Sequence, residues 1–571
     1  MDNHDVANLL GTIADLLDLK GEMPFKIRAY RMAAQMIDTL TDDITTLVHH
    51  NRLQDLPGIG EALAKKITEY VQTGKLTYLD DLKKDIPPGL IDLMKIPGLG
   101  PRKVAAIYHT LNITTLTELK TAATQGKLRT LKGFGETTEQ NILRGIQLLE
   151  KNHGRILLSH ADADGTALLT YLNDCPAVIH ASLAGSLRRM KETIGDIDIL
   201  ASSTQPQEVM DYFTHYPHTD VILAKGDTKT SLLLKDHLQV DLRVVDDTSY
   251  GAALLYFTGS KDHNIALRSL AIKNGYKLNE YGLFNKDTDT LIAGHTEDDV
   301  YKKIGLDYIP AELRENRGEI HAAQTHTLPH LITQDDIHGD FHVHSHYSDG
   351  TDTIDTIAAT AHHLGYRFIG ITDHSQSLKI ANGLTPDRLK KKQQEINTVQ
   401  RNHPDLTILC GTECDIKPDG TLDYPTTVLK DLDYVYIAIH THFKMDTDTM
   451  TNRIITAMHH DEADFLAHPT GRLLGTRDPY NVDLDKIIDT AKATNTLIEI
   501  NSFPDRLDLD DLHIKQAKDH GVHLVLGTDS HRATQLTNMR YGVATARRGW
   551  AEPPDILNTK TPKQLQKFLQ G

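Results

Sequence analysis

The chain has 571 residues, enough for about three to five domains. Charged residues make up 24% and hydrophobic residues 39%, with a mean hydropathy of −0.37, which excludes collagen-like, largely disordered and membrane-embedded classes. The formal charge of −17 argues weakly against nucleic acid, but the charge is unevenly spread: residues 1–150 hold 18 Lys+Arg against 19 Asp+Glu, while 20 of the 32 histidines fall in 321–571, where metal binding is expected.

No run of 18 apolar residues occurs, so no bilayer-spanning helix is expected. The start, MDNHDVANLLG, has neither a basic stretch nor an apolar core, so no secretory signal is expected. Cys175, Cys410 and Cys414 are too few for a disulfide framework and fit a reducing, cytoplasmic location.

Residues 1–150 read as short amphipathic helices, with apolar positions at helical spacing in Val6, Ala7, Leu9, Leu10, Ile13, Leu16 and Leu17. Three segments share an apolar-x-Gly-apolar-Gly core: LPGIGEALAKKI (56–67), IPGLGPRKVAAI (96–107) and LKGFGETTEQNIL (131–143). Their glycine pairs are Gly58/Gly60, Gly98/Gly100 and Gly133/Gly135. Paired glycines let the backbone approach closely, and the N–H groups of the helix that follows point at a phosphate. Such hairpins grip DNA without strong net charge. The third copy lacks the proline and lies closest to an ordinary interhelical turn.

Lys65 and Lys66 sit on the helix after the first hairpin, with Lys26, Arg28 and Arg31 upstream and Lys75 downstream. They read either as a phosphate-contacting basic face or as the setting of a Schiff-base lysine whose amine is depressed by cationic neighbours.

At 184–200 the chain reads AGSLRRMKETIGDIDIL. Asp196 and Asp198 are two apart on an expected strand and share one face, with Ile197 and Ile199 on the other. Asp241, in LQVDLRVV, has the same character. Three converging carboxylates repel one another without cations, so two hard divalent ions, Mg²⁺ or Mn²⁺, are expected, the arrangement of in-line phosphoryl transfer. Gly185 and Ser186, with Arg188 and Arg189, offer a backbone loop and donors for a polyphosphate.

With YGAALLYFTGSKDHNIALRSLAIKNGYKLNEYGLF (250–284) added, residues 1 to about 315 resemble a family X DNA polymerase, similar to DNA polymerase β. The resemblance rests on the hairpins, GSxRR, GDxD, the later Asp and YFTGS. It implies a lyase-like 8-kDa helical domain, further helical DNA-binding elements and a nucleotidyltransferase palm with thumb. It implies Asp196, Asp198 and Asp241 as catalytic metal ligands, and Gly185, Ser186, Arg189 and Gly195 as the triphosphate-binding segment. It implies Tyr256, Phe257 and Gly259 along the sugar pocket, where Tyr256 could obstruct a 2′-hydroxyl. Asn264 and Arg268 would face the minor-groove edges of the nascent pair, and Lys66 would be the lyase nucleophile. Met190, Ile194 and Ala62 depart from the animal enzymes' pattern, which bears on lyase strength more than on polymerisation.

From residue 340 onward, strand-like runs alternate with helical patterns, the rhythm of a parallel sheet or barrel. Each run is followed by ligand types: His342, His344 and Asp349; Asp373 and His374; Glu413; His440 and His442; His468; Asp529 and His531. Strand C-termini of a β/α barrel share one face, so these groups are expected to converge. Imidazoles with bridging carboxylates suit Mn²⁺, Fe²⁺ or Zn²⁺.

This region resembles the PHP (polymerase and histidinol phosphatase) domain over its full length. The resemblance implies a distorted (β/α)7 barrel with up to three metal ions. Its nine ligands would be His342, His344, Asp349, His374, Glu413, His440, His468, Asp529 and His531, with Glu413 bridging. His346 and His442 fall outside that pattern, and Asp340 and Asp373 are expected to orient ligands from behind.

The whole chain resembles bacterial and archaeal PolX proteins. That resemblance implies gap filling in base-excision repair on gapped or primed DNA with dNTPs, and a phosphodiesterase acting as 3′-5′ exonuclease, 3′-end cleaner and AP endonuclease. A monomer is the expected state. The alternatives are a small-molecule phosphatase in the PHP domain, or a catalytically silent DNA-binding scaffold. The expected divisions are 1–85 and 86–150 (helical), 151–245 (palm), 246–315 (nascent base-pair subdomain), 316–338 (linker) and 339–571 (barrel).

Overall fold

The computed structural model describes residues 3–38, 44–56, 58–84, 86–94, 96, 99–151, 155–235 and 238–569. The chain divides into two units, residues 1–154 with 475–477 and residues 155–474 with 478–571.

The first unit is helical. Its opening helix, Asn3–Leu19, buries Val6, Leu10, Ile13 and Leu17, the stripe that a 3.6-residue period puts on one face. Asp18 is buried beside them and accepts hydrogen bonds from Arg31 at 3.0 Å and Arg102 at 3.1 Å. Helices α1 (Glu61–Thr73), α2 (Pro101–Leu111) and α3 (Glu136–Lys151) each follow one of the glycine pairs.

The second unit opens with a five-stranded mixed sheet in the order β1 (His180–Leu183), β2 (Asp196–Ser202), β5 (Gln239–Val245), β4 (Lys229–Leu234), β3 (Thr219–Lys225). Alternation along β2 buries Ile197 and Ile199 and leaves Asp196 and Asp198 on the opposite face. Strand β2 runs parallel to β5, with Asp198 opposite Asp241. Helices α4 (Tyr250–Thr258) and α5 (Lys261–Lys273) follow, then a three-stranded antiparallel sheet, β6 (Tyr276–Asn279), β7 (Gly282–Asn285) and β8 (Leu291–Ala293).

Residues 316–338, expected as a linker, are packed. Glu319–Gln324 form a helix, the buried Glu319 carboxylate lies 2.7 Å from His263 Nδ1, and Ala323, Leu331 and Ile332 join apolar clusters. The partners that hold this segment are distant in sequence, which its polar composition conceals.

Seven parallel strands then form the C-terminal barrel: β9 (Gly339–Val343), β10 (Phe368–Ile371), β11 (Thr407–Asp415), β12 (Tyr434–Ala438), β13 (Phe465–Leu466), β14 (Leu497–Asn501) and β15 (Leu524–Gly527). A bridge between Val343 and Ser530, with His344 N donating to Ser530 O at 2.8 Å, joins the first strand's end to the last. Phe341, Phe368, Tyr434, Tyr436 and Phe465 fill the interior. Gly370 and Gly411 make room for Tyr434, since a Cβ there would stand 2.0 Å from its hydroxyl and 2.4 Å from its ring, respectively. The Tyr434 hydroxyl donates to Phe341 O at 2.7 Å, so its burial leaves no orphaned polar atom. No described helix is long and apolar enough to cross a membrane.

Candidate functional site

In the first unit, Gly58 and Gly133 have φ of +84° and +85°, a region open to glycine at little cost. Gly60 and Gly100 are the N-caps of α1 and α2, in extended conformation and with no side chain bonded to the helix N–H groups. The first N–H groups of these helices thus have no capping side chain, which suits a phosphate contact. Gly135 directly precedes α3, and Gly98 lies outside the described residues.

Lys66 lies on α1 with its amine 4.6 Å from the Tyr78 ring centroid. Burial and then the positive charge of Lys26 hold this amine below the usual lysine range. Lys65 is exposed and ion-paired with Glu61 at 2.8 Å, which holds its amine high. The two lysines are thus distinguished by surroundings that their adjacency in sequence conceals, and Tyr78 carried no signal in the sequence.

In the palm, burial and then the charges of Asp196 and Asp241 push the Asp198 carboxyl up to about 7. Asp196 is raised by burial and Asp241. Burial acts upward on Asp241 too, but hydrogen bonds from Lys229, Ser231 and Gln239 hold it low. Lys229 Nζ lies 2.7 Å from Asp241 Oδ2. Lys229 stands on β4 beside the trio and was not singled out by sequence reasoning. The donor set is carboxylate oxygen only, which fits hard divalent cations. Gly185, with φ of +59°, lets the Asp198 carboxylate lie against its backbone: a Cβ there would stand 2.1 Å from Asp198 Oδ2.

Around the trio, Ser186 lies in the short turn of helix Gly185–Arg188, and Gly195 packs beside Arg155. Arg189 donates Nε to Glu315 Oε1 at 3.0 Å and Nη1 to Thr258 O. Gly259 has φ of +70°, and a Cβ there would meet Arg189 Nη1 at 3.1 Å. Arg188, expected among the polyphosphate donors, is committed elsewhere: it grips Glu297 at 2.7 and 2.8 Å, and Arg314 grips the same carboxylate at 2.6 Å. Tyr256 and Phe257 are edge to face, and Arg243 stacks on Phe257 at 4.5 Å. Asn264 donates to Tyr256 O at 2.7 Å while its buried Oδ1 has no hydrogen-bond partner. Arg268 donates Nε to Asn264 O at 3.3 Å.

In the barrel, all nine expected ligands converge. Ligand atoms of eight of them fall into three groups, each within 4.8 Å: His344, Asp349, His374 and His531; His342, His344 and Asp529; His374, Glu413 and His440; the ninth, His468, meets Glu413 at 2.8 Å. Glu413 is central, with His374 at 2.9 Å, His440 at 3.1 Å, His468 at 2.8 Å and His342 at 3.5 Å from its oxygens. His342 Nε2 and both ring nitrogens of His344 are buried without a hydrogen-bond partner, a cost of about 1–3 kcal/mol per group. A nest of inward-facing nitrogens and carboxylates of this kind fits divalent metal ions. His468 and Asp529 also hold left-handed backbones, with φ of +25° and +53°, strain on the order of 1–3 kcal/mol each of the kind that clusters at functional sites.

The charges are tightly interlocked. Burial and neighbouring imidazoles push His344 down to about 4. Burial and Arg506 do the same to His468. Burial acts to lower His374 as well, but Glu413 and Asp349 raise it to about 10.

The groups that orient ligands differ from expectation. Asp340 accepts from the backbones of His342 and Thr528 and from the Thr528 hydroxyl, and Asp373 fixes Ser345 and Ser348, so both hold loops rather than imidazoles. The imidazoles are held by Glu499, 2.6 Å from His342 Nδ1, and by Asp415, 2.6 Å from His440 Nδ1. A lone acid inside the apolar run LIEIN was the available signal for Glu499. His346 and His442 are exposed.

Family models match four stretches: a helix-hairpin-helix domain over 1–76, a SAM-like helix-hairpin-helix tandem over 90–147, the DNA polymerase beta thumb over 253–315 and the PHP domain over 340–503. The chain is 38% identical over 572 residues to the DNA polymerase/3′-5′ exonuclease PolX of Bacillus subtilis, covering 100% of both chains. It is 26% identical over 292 residues to DNA polymerase lambda of Rattus norvegicus, covering 45% of this chain and 47% of that one. It is 33% identical over 153 residues to a probable phosphatase of Clostridium acetobutylicum, covering 25% of this chain and 60% of that one.

Proposed function

Because the chain belongs to the PolX family of DNA polymerase/3′-5′ exonucleases, we propose that it fills short gaps in DNA during base-excision repair and processes 3′ ends and abasic sites at a second, separate centre. The observation that carries this reading is the coexistence of two metal-suited donor sets on different strands: oxygen only around Asp198 and Asp241, and nitrogen-rich around Glu413.

In this reading Asp196, Asp198 and Asp241 hold two divalent ions, Mg²⁺ or Mn²⁺, and the barrel's nine ligands hold up to three of Mn²⁺, Zn²⁺ or Fe²⁺. Bound divalent ions supply stabilisation of charge on the attacking and departing oxygens of phosphoryl transfer. The chain's own residues do the rest. The hairpin N–H groups hold the DNA backbone in place. Gly185, Ser186, Gly195 and Arg189 bind the dNTP triphosphate, and Tyr256, Phe257 and Gly259 shape the sugar pocket. Asn264, with its unpartnered Oδ1, and Arg268 meet the minor-groove edge of the new pair. Lys66 serves as a lyase amine beside Tyr78. In the barrel, Glu499 and Asp415 hold His342 and His440 in fixed tautomers. The protein works in the cytoplasm, consistent with three buried free thiols.

The test is the product ladder from a 5′-phosphorylated gapped duplex, with and without dNTPs, in Mg²⁺ and in Mn²⁺. One-nucleotide extension with dNTPs and 3′ shortening without them is expected. Hydrolysis of a small phosphomonoester with neither activity on DNA would replace this reading with that of a phosphatase.

A further inference from the structure

A cavity of about 490 Å³ lies between the palm loop and the barrel, within the second unit. Ser186, Arg189 and Lys191 line it from the palm, and Asp511, Thr545 and Arg548 from the barrel. Arg548 ends the helix Met539–Arg548 and its side chain is only 3% exposed. It donates to Arg189 O at 2.7 Å and to Glu315 Oε1 at 3.1 Å, and it also pairs with Asp511. Glu315 Oε1 is the same atom that accepts the hydrogen bond from Arg189 Nε at 3.0 Å. One carboxylate oxygen is therefore shared between a palm arginine and a barrel arginine.

Sharing has an electrostatic consequence. A buried carboxylate paired with Arg189 alone would largely cancel its charge, because attraction is strong where water is scarce. A second guanidinium on the same oxygen offsets the carboxylate; Asp511, which Arg548 also meets, is paired with Arg317 at 3.0 Å as well, so Arg189 keeps net positive character toward the cavity. The guanidinium has five N–H donors, and its bonds to Glu315 and Thr258 leave others for a phosphate. Arg548 also pins the Arg189 carbonyl, which fixes the loop that carries Ser186 and Arg189.

We propose that Arg548 is a positioning residue for nucleotide insertion: supplied by the barrel, it shares Glu315 with Arg189 and keeps Arg189 competent for the incoming triphosphate. The barrel thereby forms one wall of the polymerase's nucleotide pocket. The proposal rests on the reading of Arg189 as a triphosphate contact.

The experiment measures single-nucleotide insertion on gapped DNA by the full chain as R189A, R548A, E315Q and R548A/E315Q, with Mn²⁺-supported 3′ degradation as a second readout. R548A should raise the dNTP KM by roughly five- to thirtyfold with kcat and 3′ degradation nearly unchanged. E315Q alone should not raise KM, and E315Q should restore KM in the R548A background, which a merely structural role for Arg548 does not predict. If R189A leaves KM unchanged, the underlying reading of Arg189 fails. If R189A raises KM while R548A does not, or the double variant is not rescued, the positioning role is overturned. Should R548A not fold, E315Q decides alone: a raised dNTP KM would overturn the proposal.

Discussion

Asp198 and Asp241 are register partners on adjacent parallel strands, so the backbone itself sets two like charges side by side. Burial first, then the charges of Asp196 and Asp241, raise Asp198, while Lys229 pairs with Asp241. Asp241→Ala should therefore reduce insertion by about a thousandfold or more, since several kcal/mol of charge stabilisation is removed. Affinity for gapped DNA should change little, because the proposed phosphate contacts lie in the hairpins and not at the trio. Single-turnover insertion beside fluorescence anisotropy checks both, and near wild-type insertion would remove the trio from the mechanism.

Lys66→Ala should abolish borohydride trapping on an incised abasic site, and Lys65→Ala should not. Of the two neighbours, Lys66 is the one that lies against Tyr78 and whose amine is held below the usual lysine range by burial and Lys26, which favours its attack as a free amine. Equal trapping by the Lys66 variant would move the role to another lysine.

His344→Ala or Glu413→Ala should eliminate 3′ degradation while gap filling survives, since the barrel cluster and the palm trio share no ligand. Mn²⁺ should support degradation better than Mg²⁺, because nitrogen donors suit the softer ion. Glu499→Gln should lower the barrel's metal affinity roughly 10–100-fold by freeing His342. The checks are a labelled 3′ end without dNTPs and metal content by mass spectrometry. Degradation lost in Asp241→Ala but kept in His344→Ala would place the nuclease elsewhere.

Glu297 gives a prediction in pH. Burial acts to raise its carboxyl, but Arg188 and Arg314 hold it down to about 2. A depressed carboxylate adds stability above its unfolded value near 4.5, and that stability is lost as pH falls toward about 2. Glu297→Gln should cost on the order of 3 kcal/mol near neutral pH, and the gap from wild type should narrow as pH falls below about 4.5. Urea unfolding at pH 7, 5 and 3.5 measures it, and a pH-independent difference would show that the ion pairs contribute nothing net.

What was legible in the sequence was local. The alternation of Asp196, Ile197, Asp198 and Ile199 appears as written, and the residues expected as barrel ligands lie on a strand or within four residues of its end, except Asp349, six residues beyond Val343. The paired glycines precede helices because left-handed and extended backbone is needed there. What was not legible depends on partners far apart in the chain. Glu315 meets Arg548, Glu319 meets His263, and Lys229, whose register partner is Arg243, reaches diagonally across the strand pair to Asp241. The left-handed backbones of His468 and Asp529 leave no trace in composition.

The ring closure between Val343 and Ser530 bears on how the protein is made. His342 and His344 lie at the first barrel strand, and Asp529 and His531 just beyond the last. During synthesis, the ends of that ligand set are separated by the emergence of some 190 residues from the ribosome. The palm strands, with all three of their carboxylates, are complete long before then. A nascent chain therefore carries the whole carboxylate trio while the barrel's donor cluster still lacks Asp529 and His531, and a ribosome that stalls before residue 529 leaves a product without those two donors.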